Sequence, residues 1–332
     1  MIITVTPNPS LDRTLEAATI VLGEVNRAHA THVHAGGKGI NVTRALVAGG
    51  FDSVAVFPAG GPDGDRLVAD LRLRAVPVRP VPVEADTRSN VTLVDGGGVT
   101  TKINAPGAAL TPQAVDALLA ELATEITRAT RAGIVPLVVG AGSLPDGAGT
   151  DFYVRVTALA TELGARTVLD TSGAPLRAAV AAGGLALVKP NDEELAELVG
   201  RELVTVADVV DAAHEVMASG IDAVLVSLGA HGALLVGPGE PVWAGGAPLV
   251  PLSTVGAGDI TLAGFLSGLQ PAALSSPASS TPSTLTDALV RAVAWGRAAV
   301  LLPGSAVPTP TDIHLADVTL AHPPRHIALK EL

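Results

Sequence analysis

The stretch Ser253-Thr-Val-Gly-Ala-Gly-Asp-Ile-Thr-Leu-Ala-Gly-Phe-Leu-Ser-Gly268 decides how the chain is read. A turn of small residues, Gly256-Ala257-Gly258, is followed at once by one acid, Asp259. Leu262, Phe265, Leu266 and Leu269 then recur at three- to four-residue spacing, which predicts a helix over Asp259–Gly268. Glycines ahead of a helix let unsatisfied main-chain N–H groups converge, and the helix dipole adds partial positive charge there. The stretch therefore predicts an anion site, for phosphate above all. An acid beside phosphate is a liability unless it has work to do, and two roles are open to Asp259. It N-caps the helix, or it takes a proton from a hydroxyl while the neighbouring amides hold the phosphoryl group that the hydroxyl attacks.

On both sides of this stretch, apolar runs of strand length alternate with helical patterns. Strands are expected at Ile2–Thr6, Ser53–Phe57, Leu137–Gly140, Thr167–Asp170, Leu185–Lys189, Ala223–Ser227 and Ala233–Val236. Helices are expected at Asn41–Ala48, Gly64–Leu73, Pro112–Arg131, Asp151–Leu163, Asn191–Val199, Val206–Ser219 and Thr286–Leu302, besides Asp259–Gly268. This alternation predicts an α/β fold whose mostly parallel sheet is covered on both faces. Two segments, Leu15–Ala35 and Arg88–Asn104, are more polar and alternate. They are expected to form the antiparallel strands of one small sheet, a lid drawn from about residues 13–35 and 86–104. The expected organisation is a single domain over residues 1–320 with a loosely attached tail over 321–332. Ser275–Thr284 reads as a low-complexity loop between two helices.

Composition narrows the classes further. With 332 residues, 48% of them hydrophobic but only 2% aromatic, a large core has to be built from Ala, Val and Leu. No charge- and glycine-free apolar run reaches 18 residues, so no membrane span is expected. Met1-Ile-Ile-Thr-Val-Thr-Pro7 reads as a strand and not as a signal peptide. The lack of cysteine excludes disulfides and thiolate metal sites, and fits a cytoplasmic protein. A net charge of −11 with no basic stripe argues against nucleic acid as a partner. It also draws attention to the four lysines, Lys38, Lys102, Lys189 and Lys330, three of which lie in motifs containing glycine, asparagine or proline.

Those motifs are candidate binding elements. Gly36-Gly-Lys-Gly-Ile-Asn41 is a second glycine loop feeding a helix, without the serine or threonine of a Walker A loop after Lys38. It is either a tight turn with an exposed lysine or a close backbone approach to a ligand. Asn8-Pro-Ser-Leu-Asp12 follows the first strand, on the side where parallel sheets collect ligands, and Asp12 suits sugar hydroxyls or a structural turn. Arg88 can grip a phosphate bidentately. Lys189-Pro-Asn-Asp-Glu-Glu194 ends a strand and starts a helix; Asn191 and Glu194 form either a capping box or part of a shell around hydrated magnesium. Ser227-Leu-Gly-Ala-His-Gly232 is a tight turn or the edge on which a nucleotide rests. His29, His32 and His34 are read as small-sheet residues, because their spacing does not aim three rings at one metal.

In this order and combination, Gly36-Gly37 before Asn41, Lys189-Pro-Asn-Asp-Glu-Glu194 and Gly256-Ala-Gly-Asp259 resemble the ribokinase-like family of carbohydrate kinases. The likeness runs on through Leu302-Pro-Gly-Ser-Ala-Val-Pro-Thr-Pro310. It implies a three-layer α/β/α fold with a small β-sheet lid, the cofactors ATP and Mg2+, and phosphoryl transfer to a sugar hydroxyl. It implies that Asp259 is the base and that the amides of Gly256, Ala257, Gly258 and Asp259 form the anion hole. Lys189, Asn191, Ser227, Gly229, Gly232, Gly256 and Gly258 would surround the nucleotide, with Asn191 and Glu194 organising magnesium through water. Asn8-Pro-Ser-Leu-Asp12, the Lys38 loop, Asp86-Thr-Arg-Ser-Asn90 and Thr101-Lys-Ile-Asn104 are similar to the branch that phosphorylates sugar phosphates. That similarity implies Asp12, Arg27, Gly37, Lys38, Asn41, Arg88, Asn90 and Lys102 as sugar-phosphate ligands, and a homodimer formed through the lid. It points to fructose 1-phosphate, phosphorylated at C6, because branch members acting on fructose 6-phosphate carry glycine where this chain has Lys38. Fructose 6-phosphate and tagatose 6-phosphate are the alternatives. Ile260 departs from the branch, which has serine there. A non-catalytic sugar-phosphate sensor would have no use for Asp259, and a nucleoside or ribose kinase none for Lys38 or Arg88.

Overall fold

The computed structural model describes residues 1–269 and 282–332. Its spine is a ten-stranded sheet. In chain order the strands are β1 (Ile2–Val5), β4 (Ser53–Ala59), β5 (Val78–Pro82), β8 (Leu137–Ala141), β9 (Arg166–Asp170), β10 (Leu187–Val188), β11 (Val224–Ser227), β12 (Ala233–Val236), β13 (Val242–Gly245) and β14 (Thr319–Ala321). In space they run β14-β13-β12-β11-β10-β9-β8-β1-β4-β5. From β5 across to β11 every pairing is parallel, and β11 to β14 form an antiparallel extension. Strand residues alternate between the two faces. Ile3, Val5, Val138, Leu169 and Val188 enter one apolar core, under α3 (Pro112–Arg131), α4 (Phe152–Glu162), α6 (Asp192–Val199) and α7 (Val206–Met217). Leu137, Val139, Val168, Leu187 and Leu225 enter the other, under α1 (Lys38–Ala48), α8 (Ala257–Gly268) and α9 (Pro282–Val300). This is the expected three-layer architecture. Among the described residues, no helix is long and apolar enough to cross a membrane.

The three unexpected strands have physical reasons for reading poorly. Val78-Arg-Pro-Val-Pro82 carries two prolines, which a strand tolerates only at a sheet edge, and β5 is the outermost strand. β14 is three residues long and forms the opposite edge. β13 follows a turn rich in glycine and proline. A helix over Gly173–Ala182, α5, was also not expected: its alanine-rich sequence has no strong apolar stripe, and Pro175 sits in its first turn, where proline is harmless. The last three residues of the expected Ser275–Thr284 loop belong to α9, and the rest lies outside the described residues.

The second sheet has four strands, β2 (Ser10–Ala17), β3 (Ala28–Gly36), β6 (Arg88–Val94) and β7 (Thr100–Ile103), in the order β3-β2-β6-β7. It is not wholly antiparallel as expected. Its central pair, β2 and β6, runs parallel, because the chain reaches β6 by a crossover through β4, α2 (Gly61–Leu73) and β5. The sheet also begins earlier, at Ser10, so Asp12 lies on it. One face packs on α2, where Leu11, Ala35, Leu67 and Leu71 form a third apolar cluster. Arg13 donates to Asp63 at 2.7 Å and to Ser89 at 2.9 Å, fastening sheet to helix. The C-terminal tail is held more firmly than expected. The N–H groups of Val206 and Ala207 donate to the carbonyls of Ile327 and Arg325, and Leu329 donates to Val204. Ile327, Leu329 and Leu332 rest on the α7-side core.

Candidate active site

In an open parallel sheet the crevice lies beyond the strand C-termini. Here that edge carries Thr6 after β1, Gly142 after β8, Asp170 at the end of β9, Lys189 after β10 and Ser227 at the end of β11. The first turns of α1 and α8 meet above it. Gly256 caps α8 in the left-handed region (φ 76°), which glycine adopts without strain. Among the described residues, no acceptor takes the main-chain N–H of Gly256, Gly258 or Asp259, and that of Ala257 has only the Thr254 carbonyl at 3.4 Å. These are the free donors of an anion site.

Asp259 does not cap its helix. Its carboxylate is buried, and Oδ2 accepts a 2.9 Å hydrogen bond from Nδ2 of Asn41 in α1. The N-capping reading is therefore overturned. Burial, reinforced by the nearby Asp170 charge, pushes the Asp259 carboxyl up to about 6, against the opposing pull of Lys38, Asn41 and Lys189. That places a proton acceptor near the neutral range, where general bases work best.

Next to it is an ion cluster that the motifs did not reveal. Asp170 is 1% exposed; its Oδ1 accepts from Lys38 at 2.7 Å, and its Oδ2 pairs with Lys189 at 3.0 Å. Burial alone would raise the Asp170 carboxyl, but the two ammonium groups outweigh it and hold the pKa below the usual range. In return Asp170 holds the Lys38 ammonium firmly protonated. An ammonium has three donors, so each lysine can keep Asp170 and still contact a phosphate. A Cβ on Gly258 would lie 3.6 Å from Lys189 Nζ, which puts this charge against the α8 turn. The signal for Asp170 was available, since it is an acid at the carboxyl end of a parallel strand.

Two regions flank this centre. On one side a cleft of about 370 Å³ is lined by Asn191, Ser227, Gly229, Gly232, Ala257 and Gly258. Gly232 lies so close to the Ala244 carbonyl that a Cβ would come within 2.0 Å of it. The cleft also includes Thr254, Thr261 and Arg297, and nothing in the helical pattern around Arg297 announced it. On the other side is the small sheet. Asp12 accepts from Ser10 at 2.7 Å and from Asn90 at 3.0 Å, and a Cβ on Gly36 would meet its Oδ2 at 2.2 Å. Gly37 (φ 119°) caps α1 against Thr6.

Not every expected residue joins this assembly. Arg88 is anchored to the framework: its guanidinium donates to the carbonyls of Ala105 at 2.8 Å and Asn8 at 3.1 Å, which ties two loops and uses two of its five N–H donors. Arg27 precedes β3 at the end where Ala28 pairs with Ala17. That is seven residues, roughly 23 Å, from the Ser10 end of the hairpin, so the chain does not bring Arg27 to its own site. Lys102 is exposed on β7 opposite Thr92, further along the face that carries Asp12 and Asn90. Among the three histidines, His29 and His32 lie 3.8 and 3.2 Å from Glu16, and no group of three metal-ligating side chains occurs among the described residues.

Asn191 and Glu194 do form the capping box: the Glu194 N–H donates to Asn191 Oδ1 at 2.6 Å, and the Asn191 N–H to Glu194 Oε2 at 2.9 Å. Glu194 keeps its other oxygen outside the box. One free carboxylate oxygen is no cage for a bare ion, but it fits magnesium that keeps its waters and rides on phosphates.

Residues 6–312 match the family described as pfkB family carbohydrate kinase. A 1-phosphofructokinase of Xanthomonas campestris pv. campestris is 39% identical over 271 residues, 80% of this chain and 83% of that one. The ATP-dependent 6-phosphofructokinase isozyme 2 of Escherichia coli is 38% identical over 260 residues, 78% and 82% of the two chains. Among solved structures, phosphofructokinase-2 from Escherichia coli in complex with potassium superposes with a TM-score of 0.84 at 35% identity, over 94% of this chain and 96% of that one.

Proposed function

Because the chain belongs to the pfkB family of carbohydrate kinases, we propose that it transfers the γ-phosphoryl group of ATP to the C6 hydroxyl of fructose 1-phosphate. The observation that carries the reading is Asp259: a buried, proton-accepting carboxylate beside the free amides of a helix N-terminus, between a nucleotide-sized cleft and a polar sheet edge. A binding protein has no need for a proton acceptor there.

In this reading the sugar ring lies on Asp12 and Asn41, above Gly37. Its phosphate is met by Lys38, with Asn90 and Lys102 from the small sheet, which acts as the lid. ATP lies along Ser227, Gly229 and Gly232, with its phosphates over Gly256–Gly258 and Lys189. Asn191 and Glu194 would hold magnesium, which would supply charge neutralisation on the phosphates. Asp259 uses its free Oδ1 to accept the hydroxyl proton, and the Ala257, Gly258 and Asp259 amides receive the charge on the transferred group. A carboxylate suffices as base because in a loose transition state the proton leaves late. A closed lid also excludes water, which would otherwise compete for the phosphoryl group.

The choice of fructose 1-phosphate is supported by Lys38 in the glycine loop and by the 39% identical relative. The 38% identical 6-phosphofructokinase favours a second reading, fructose 6-phosphate. The chemistry explains why the two are close: the C1 and C6 arms of the furanose are related by an approximate two-fold, so one cradle can present either hydroxyl. Initial rates of ADP release with fructose 1-phosphate, fructose 6-phosphate and tagatose 6-phosphate, measured side by side, decide between them. The reading expects the highest kcat/KM with the first, and a clear preference for either of the others overturns it.

We further propose a homodimer through the lid face opposite Asp12. Val91 and Leu93 are half-buried there, and Ile103 is 58% exposed.

A further inference from the structure

We propose that Arg44 is a positioning residue for phosphoryl transfer, locking the side-chain amide of Asn41 in the orientation that presents Nδ2 to Asp259. The inference rests on the reading of Asp259 as the base.

Arg44 lies on α1 one turn beyond Asn41 and is 6% exposed. Its Nη1 donates to Asn41 Oδ1 at 3.0 Å and to the Ala35 carbonyl at 3.2 Å; Nη2 donates to the Ser305 carbonyl at 3.3 Å. An asparagine amide has an acceptor end and a donor end of nearly the same shape, so rotation by half a turn exchanges them. Asp259, when ionised, only accepts, and a guanidinium only donates. With Arg44 on Oδ1, only Nδ2 can face Asp259, as the 2.9 Å bond shows. The donor chain Arg44 → Asn41 → Asp259 thus occupies Oδ2 and leaves Oδ1 of Asp259 for the incoming hydroxyl. Without Arg44 the amide is free to turn its oxygen toward the carboxylate, where like partial charges repel.

A buried guanidinium is expensive to keep, and an aliphatic side chain would not carry that cost. What an aliphatic residue cannot do is hold three acceptors on three elements. One of them, Ala35, is the penultimate residue of β3, next to the Gly36–Gly37 junction. Arg44 therefore also ties the amide to the root of the small sheet. The ionisable groups around Arg44 are Asp70 from α2, Arg74 just after it and Asp12 from β2, with His34 close by on β3. Around Asp259 they are Asp170, Lys38 and Lys189.

The test is the pH dependence of kcat/KM for the wild type, Arg44→Met and Arg44→Lys, alone and with Asn41→Ala. The Asn41 hydrogen bond lowers the Asp259 pKa, so its loss moves the acidic limb to higher pH. Both variants are expected to show that upward shift with kcat down about ten- to a hundredfold and a smaller change in sugar KM. In the Asn41→Ala background they should add nothing. Should Arg44→Met not fold, Arg44→Lys keeps the buried charge without the three-way reach and reads the same limb. An unmoved limb, or losses that multiply with Asn41→Ala, overturns the proposal. Asp259→Asn separates the two readings. If it is inactive while the Arg44 variants keep the wild-type limb, only the Arg44 role fails. If it is active, the base itself is wrong.

Discussion

Replacing Asp259 with asparagine should cut turnover sharply and stabilise the protein at the same time, and the second effect should depend on pH in a way set by the burial of the carboxylate. The substitution is nearly isosteric, and the side-chain oxygen can still accept from Asn41. Removing a general base costs about 10²–10⁴-fold in rate. On the stability side, the folded protein holds this carboxyl at about 6 against a usual 3.8. At about 1.4 kcal/mol per unit, roughly two units make the ionised side chain cost about 3 kcal/mol of folding free energy near pH 7.5. The sign follows from linkage. A raised folded-state pKa destabilises fully above about 6, and the penalty vanishes below the unfolded-state value near 4. The gain in Asp259→Asn should therefore be absent at pH 4, grow between 4 and 6, and level off above. For a chain of this length, with about 2.1 cal/mol/K of unfolding entropy per residue, 3 kcal/mol corresponds to roughly 4 °C in Tm. Thermal unfolding at a series of pH values, paired with a coupled ADP assay, reads both effects. Wild-type turnover would remove Asp259 from the mechanism, and a stability gain independent of pH would show that its carboxylate is not the penalised group.

Three further outcomes follow from the same geometry. Asp170→Asn leaves the buried Lys189 ammonium without its counter-ion and frees Lys38, so denaturant unfolding should show a loss of about 3 kcal/mol; an unchanged midpoint would mean that water already screens the cluster. Gly36→Ala places a methyl on the Asp12 carboxylate; the KM for sugar should rise about tenfold or more with the KM for ATP unchanged, and equal effects on both would point to misfolding instead. Ile103→Glu puts a charge in the proposed dimer face, and sedimentation should then report monomer; a persistent dimer would move the interface elsewhere.

Much of the framework was legible because parallel strands buried on both faces are written as uninterrupted Val, Ile and Leu. The edge strands were not: β5 contains the prolines that only an edge tolerates, and β14 is too short to show a period. The two glycine turns and Asp259 were legible because a helix N-terminus built for an anion needs small residues in sequence. Arg44 and Arg297 escaped because what matters about them is which distant residue they meet, and no local spacing records that; Asp170 was signalled by its place at the end of a parallel strand, but its two lysine partners were not. Arg27 shows the opposite case: an arginine beside a suitable motif reads as a phosphate ligand, yet chain geometry sets this one at the far end of the hairpin.

The pairing of Asp170 with both lysines bears on how the reaction ends. A doubly phosphorylated sugar leaving alongside ADP would cling to a pocket of naked ammonium groups. Here the Asp170 carboxylate stays in contact with both ammonium groups whether or not an anion is bound, so the empty pocket would give up little attraction when it lets go. Such an internal counter-ion lowers the net positive charge that any bound anion meets.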